Sequence, residues 1–135
     1  MMCSADESPV IAAADVMVQV RYAECDPMNV AHHSVYPIWL EIARTELLRQ
    51  RGKAYKDVEA SGTFIVVARL NIRYRKPAFY DDNLRIHVRL RESAGVKILH
   101  DYQIYRAGDL LAEADTTLVC VDREGKIKPI PEGLL

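Results

Sequence analysis

Cysteine is scarce in this chain: Cys3, Cys25 and Cys120 are the only three among 135 residues. An odd number at wide spacing gives no disulfide framework and no CxxC motif, so reduced thiols in a cytoplasmic protein are expected. Aromatic residues reach only 7%, which does not suggest platforms for stacking bases. An excess of either charge is also missing. The formal net charge is -1, so no overall field recruits nucleic acid and no nucleic-acid partner is expected. No run approaches the roughly 20 apolar residues that cross a bilayer. The start, MMCSADESPVIAAADV, places Asp6 and Glu7 before a short apolar run, unlike a signal peptide, so no membrane association is expected. The histidines, His32, His33, His87 and His100, lack HExxH or clustered His/Cys spacing, and no metal is expected. Internal repeats and low-complexity segments are absent too.

Hydrophobic residues, by contrast, make up 50% of the chain. That length and composition suit one domain with one core. Residues 1–15 are small, acidic and Ala-rich and read as a flexible tail. Residues 16–135 read as a single domain. Val16, Val18, Val20 and Tyr22 alternate with Met17, Gln19, Arg21 and Ala23, the period of a strand with Val and Tyr inward. Continued, that parity also turns Asp26 inward. Pro27 ends the ladder, and Asn29 suits a turn that needs the left-handed region.

A long helix follows. Ser34 is the expected N-cap, with Pro37 in the first turn. Val35, Ile38, Trp39, Ile42, Ala43 and Leu47 form an apolar stripe that Leu40 and Leu48 widen. Arg49, Arg51 and Gly52 suit its end. Lys53 to Gly62 reads as a polar connector. Four strands then follow at hairpin spacing. The first has Val66, Ala68, Leu70, Ile72 and Tyr74 inward, and the second Leu84, Ile86, Val88 and Leu90. The third has Val96, Ile98, Tyr102 and Ile104, with His100 interrupting, and the last runs Leu110 to Val121. The tail KIKPIPEGLL reads as no further core element. One strand, one wide-striped helix and a run of strands predict an α+β fold, an antiparallel sheet curled around a single helix.

The turn between first strand and helix carries the chemistry. A carboxylate (Asp26), a thiol (Cys25) and two imidazoles (His32, His33) stand beside a helix N-terminus, whose free N–H groups favour negative charge. Carboxylate plus oriented N–H donors can hydrolyse an acyl group. Asp26 could act as nucleophile or as general base, or it could merely cap its own turn. Cys25 lies on the opposite parity and reads as a small packed residue.

The string VRYAECDPMNVAHHSVYPIWLEIARTELLR, followed by KPAFYDDNLRI, resembles the hotdog-fold acyl-CoA thioesterases of the 4-hydroxybenzoyl-CoA thioesterase / YbgC type. The resemblance runs from Val16 to Val121 and implies hydrolysis of an acyl-CoA to free acid and CoA. No cofactor is implied beyond the coenzyme A of the substrate. It implies that Asp26 is the catalytic aspartate and that the His33 N–H faces the thioester oxygen. Tyr36 matches a tyrosine shared within the family and is expected at the substrate. It also implies a homodimer paired edge to edge, often doubled to a homotetramer, with active sites between subunits. Two departures stand out. Asn29 replaces the usual Gly, and no basic run for CoA phosphates matches Ser93-Ala94-Gly95-Val96.

Val35 and Trp39 are candidate walls of the acyl pocket, with apolar core the alternative for Trp39. In another hotdog branch the helix carries the acid, which makes Glu41 a possible alternative acid/base, unless it simply pairs with Arg44 three residues on. Arg69, Arg73, Arg75, Arg85, Arg89 and Arg91 form a basic outward row on two strands expected to be neighbours. That row could hold phosphates, or be a solvated face balanced by Asp101, Glu113 and Asp115. The alternatives to a thioesterase are a hydroxyacyl-thioester dehydratase on the same fold and a non-catalytic acyl-thioester-binding or interaction protein.

Overall fold

The Val16, Val18, Val20 alternation does form a strand, but a longer one. β1 runs Val10–Gln19, so residues 10–15, expected as tail, are already paired with a neighbouring strand. The computed structural model describes residues 8–91 and 95–135. The tail before residue 8, and positions 93 and 94 of the segment lacking a phosphate-binding run, lie outside the described residues. Tyr22 overturns the expected parity. The chain leaves β1 into a 3-10 turn, Tyr22–Glu24, whose period is three. Tyr22 therefore comes out 76% exposed, and Glu24 turns in at 7%.

His32, not Ser34, caps the helix entry: its Nδ1 accepts the Ser34 N–H at 3.2 Å. A 3-10 turn, His33–Val35, leads into α1, Tyr36–Gln50, with Pro37 in its first turn. Gly52 ends it in the left-handed region at φ 81, which glycine adopts without a Cβ penalty. Trp39, Leu40, Ala43 and Leu47 are buried, but Ile38 and Ile42 remain 50% and 43% exposed. The stripe is thus narrower than its sequence suggests, and one flank faces outward. The expected polar connector contains a short helix, α2, Tyr55–Ala60, with Val58 packed on the core.

The remaining strands are β2, Phe64–Tyr74, β3, Asn83–Arg91, β4, Lys97–Arg106, β5, Asp109–Val121, and β6, Ile127–Lys128. All pairs are antiparallel, in the order β1-β3-β4-β5-β2, with β6 also on β5. β2 and β3 are therefore not neighbours, contrary to the hairpin spacing; β4 and β5 lie between them. The link from β2 to β3 must cross the sheet, and residues 76–82 do so. As an edge strand, β2 leaves Val66, Leu70 and Tyr74 between 41% and 47% exposed, against their expected inward role. A bulge between Val67 and Arg69 breaks its alternation. The C-terminal segment does reach the core, since Leu134 is 5% exposed. Its first residues pair with β5 as β6, and the prolines that follow end that ladder without preventing burial.

Polar groups are buried as well, among them a cluster around Arg44. Arg44, 8% exposed, hydrogen-bonds the hydroxyls of Tyr55 and Tyr102. Tyr102 also meets Thr116 Oγ1 at 2.7 Å. Burial pushes the Tyr55 hydroxyl up to about 12. His100, 7% exposed, has its pKa pushed down to about 3, first by burial and then by the Arg44 charge. It folds neutral, whereas the unfolded chain protonates it near pH 6.5. Its contribution is therefore complete above pH 6.5 and is lost as pH falls toward 3. Chemical denaturation should show that lowering the pH from 7 to 5 costs wild type about 2 kcal/mol more than His100→Leu; equal slopes for the two proteins would contradict a neutral buried imidazole.

Candidate active site

Residues 24–32 fold back on themselves as a miniature hairpin. Cys25 bridges Ala31, the Asp26 N–H donates to the Val30 carbonyl at 2.9 Å, and the His32 N–H donates to the Glu24 carbonyl at 2.9 Å. Asn29 makes the tip possible by taking φ 64, which Asn tolerates at little cost. The glycine usual at that position is thus dispensable. Inside the tip, Asp26 Oδ1 accepts the N–H groups of Met28 at 2.9 Å and Val30 at 3.3 Å. Asp26 does cap its own turn, with one oxygen. Among the described residues no hydrogen bond reaches Oδ2, and the residue is only half-buried.

On the helix side the donors are shared out unevenly. The N–H of His32 goes to Glu24, that of Ser34 to His32 Nδ1 at 3.2 Å, and that of Val35 to the His32 carbonyl at 3.0 Å. The His33 N–H, alone among these four, has no acceptor among the described residues. Its carbonyl is held: Tyr74 of β2 donates its hydroxyl to it at 3.0 Å. The His33 ring is exposed and lies against His32, centroids 4.3 Å apart. The two imidazoles therefore do not diverge as adjacent helical positions would, because the chain here is a 3-10 turn entered from an extended residue.

The crossing segment forms the back of the site. Ala78 accepts the Ala31 N–H at 2.8 Å, Phe79 bridges Val30, and Ala78 also makes a backbone hydrogen bond with the Tyr36 hydroxyl. Tyr36, 3% exposed, packs edge-on to Tyr74 at 4.9 Å and against Trp39 at 4.8 Å, and burial raises its hydroxyl pKa. Trp39 is 1% and Val35 8% exposed, so both belong to the core of the protomer.

Glu24 was not singled out by its sequence position. Its carboxylate Oε1 accepts the Arg21 N–H at 2.8 Å, while Oε2 accepts Arg21 Nη2 at 3.2 Å and Trp39 Nε1 at 3.3 Å. The available signal was its spacing of three from Arg21, the interval of a capping box at a helical turn.

Other candidates lie apart. Glu41 is on the outer side of α1, 69% exposed and 3.9 Å from Arg44. A cleft of about 260 Å³ there is lined by Glu41, Arg44, Thr45, Tyr55 and their neighbours; its walls include neither Asp26 nor His33. The Cys25 thiol is pushed up, first by desolvation and then by the charges of Asp26, Glu24 and Asp82, which disfavours the thiolate. Much of the arginine row is paired. Arg75 meets Glu113 at 2.7 Å, Arg89 and Arg91 hold Asp101 at 2.6 and 2.7 Å, and Arg85 meets Asp15 at 3.2 Å. Among the described residues no group of three His, Cys, Asp or Glu is placed to hold a metal. No described helix is long and apolar enough to cross a membrane.

Residues 20–135 match the family model of the thioesterase-like superfamily. The chain is 38% identical over 114 residues to YneP of Bacillus subtilis, described as a candidate acyl-CoA thioesterase, covering 84% of this chain and 82% of that one. It is 34% identical over 121 residues to the acyl-CoA thioester hydrolase YbgC of Escherichia coli O157:H7, covering 87% and 90%. Among solved structures, the hypothetical protein TT1821 of Thermus thermophilus superposes with a TM-score of 0.83 at 38% identity, over 89% of this chain and 92% of that one. The DHNA-CoA thioesterase of Staphylococcus aureus gives 0.84 at 28% identity, over 87% and 80%. The chain belongs to the thioesterase-like superfamily, and with its sheet wrapped on one central helix it is a hotdog-fold acyl-CoA thioesterase.

Proposed function

We propose that the turn from Glu24 to His33 is where this thioesterase works, with Asp26 as nucleophile or general base and the His33 N–H as oxyanion donor. The observation that carries the reading is the pair of unused groups in an otherwise satisfied turn. Asp26 keeps Oδ2 free of hydrogen bonds, and His33 keeps its N–H free at the start of the helix, among the described residues. A thioester carbonyl can use both. Its oxygen accepts the His33 N–H, and the helix dipole adds to that donor; one such donor lowers the barrier by about 3 kcal/mol. Its carbon is then attacked in one of two ways. Asp26 Oδ2 adds and expels the CoA thiolate, leaving a mixed anhydride that water cleaves. Alternatively Oδ2 takes a proton from water, whose oxygen adds and expels the same thiolate. Both routes end in free acid and CoA.

The acyl group would pass Tyr36, with Val35 and Trp39 behind it. In the protomer these side chains are covered, and the outer walls are left to a second copy of the chain. The support is the unpaired outer edge of β2, with Val66, Val67, Leu70 and Tyr74 all more than 40% exposed, together with the exposed Ile38 and Ile42 of α1. A long apolar edge strand invites another strand, and Tyr74 on that strand bonds His33 directly. The assembly is then a homodimer, or a homotetramer of two such dimers. The compartment we propose is the cytoplasm, where Cys25 and Cys120 stay as free thiols.

Asp26→Asn keeps the oxygen that accepts the Met28 and Val30 N–H groups and removes only the carboxylate chemistry. Against a panel of acyl-CoAs with a thiol-reactive dye, wild type should turn over at least one member and Asp26→Asn should lose at least about 100-fold in kcat. Enoyl formation without thiol release would favour the dehydratase, and tight binding without turnover the non-catalytic acyl-thioester-binding protein. Leu70→Lys should convert the sedimenting dimer to monomer and lower activity with it, because a charge on each edge opposes pairing; a fully active wild-type monomer would refute the shared site.

A further inference from the structure

We propose that Glu24 is the positioning residue of this active site. Its buried carboxylate locks the turn that carries Asp26 to the helix that carries the His33 N–H. The inference rests on the reading of the site given above and extends it to a residue that does not touch the reacting atoms.

Glu24 reaches three parts of the fold at once. Through Oε1 and Oε2 it holds the main chain and guanidinium of Arg21, at the exit of β1. Through Oε2 it holds the indole N–H of Trp39, on the buried face of α1. Through its carbonyl it holds the N–H of His32, the residue immediately before His33. It stands two positions before Asp26. A carboxylate is costly to bury, and an apolar side chain would cover the Trp39 edge without that cost. What the carboxylate adds is direction. Charge-assisted bonds of fixed geometry set strand end, turn and helix in one relative orientation. The quantity so fixed is the spacing between Asp26 Oδ2 and the His33 N–H, and a displacement of about 1 Å between such groups can cost about 100-fold in rate.

Two variants test this. Glu24→Gln has the same size but offers one oxygen where the carboxylate uses two, and its amide N–H groups would face donors. Trp39→Phe keeps an aromatic ring and removes only the indole donor. With kcat expressed per folded protein, Glu24→Gln should lower kcat about 10- to 100-fold and leave KM within about twofold. Trp39→Phe should lower kcat in the same sense. The double variant should be no slower than the slower single one, because both break one connection. Trp39 is the chain's one tryptophan, so its emission reports the contact. The spectrum should change in Glu24→Gln while the far-ultraviolet circular dichroism does not.

Unchanged kcat in both variants, or losses that multiply in the double variant, would overturn the proposal. If Glu24→Gln does not fold, Trp39→Phe decides it: lowered kcat at constant KM supports the role, and wild-type kcat refutes it. Asp26→Asn, assayed in parallel, separates the two levels. An active Asp26→Asn removes the reading of the site itself. An inactive one beside normal Glu24 and Trp39 variants removes only the role of Glu24.

Discussion

The first backbone N–H groups of a helix have no carbonyl behind them and must find acceptors elsewhere. In this chain the way they find them shapes the whole site. His32 enters in an extended conformation with its N–H on the Glu24 carbonyl, and its ring and carbonyl take the N–H groups of Ser34 and Val35. The His33 N–H is left over. Closing the 24–32 hairpin, capping the helix and exposing one donor are thus a single arrangement. A serine cap of the ordinary kind would have satisfied a different N–H and spread the positive end of the dipole differently.

The sheet order matters to the same spot. Had β2 lain beside β3, residues 76–82 would be a hairpin loop remote from the turn. With β2 on the far edge, the link must cross, and it crosses directly behind Asp26. Ala78 then bonds Ala31 and Tyr36, and Phe79 bonds Val30. Asp82 anchors the crossing through the Phe79 N–H at 2.8 Å and Arg106 at 2.7 Å. The Lys-Pro-Ala-x-x-Asp-Asp stretch is therefore a wall of the site as well as a connection.

Much of this was legible in the sequence where periodicity is long and regular. The strand at Val16 to Val20, the helix with Trp39, Leu40, Ala43 and Leu47 inward, and the inward sets of β3 and β4 all follow from spacing alone. Asn29 in the left-handed region and Asp26 at a turn followed from turn chemistry. What failed did so for identifiable reasons. Period-two reasoning ran on through a 3-10 turn and turned Tyr22 inward where it is exposed, although Glu24, on the same parity, does turn in. Strand order is a long-range property, so hairpin spacing mistook a crossover for a meander. Burial of β2 was overestimated because alternation does not distinguish an edge strand from a central one. The prolines of the tail hid both the short pairing of β6 ahead of them and the burial of Leu134 beyond them, since they limit a ladder and say nothing about packing.

Three acids compete for the catalytic role, and their surroundings rank them. Glu24 has both oxygens occupied by Arg21 and Trp39 and sits 7% exposed. A carboxylate so saturated can neither approach a carbonyl nor take up a proton without breaking what it holds. Glu41 is exposed, loosely paired with Arg44, and more than two turns along α1 from His33. At a rise of about 1.5 Å per residue, that separation is about 12 Å, beyond any shared carbonyl. Asp26 alone combines an anchored oxygen with an unbonded one, on a turn whose partner strand leads straight into the free N–H of His33. The difference between Glu24 and Asp26 is therefore one of hydrogen-bond saturation. Two carboxylates two residues apart can divide support from chemistry, because one is filled and the other is half open.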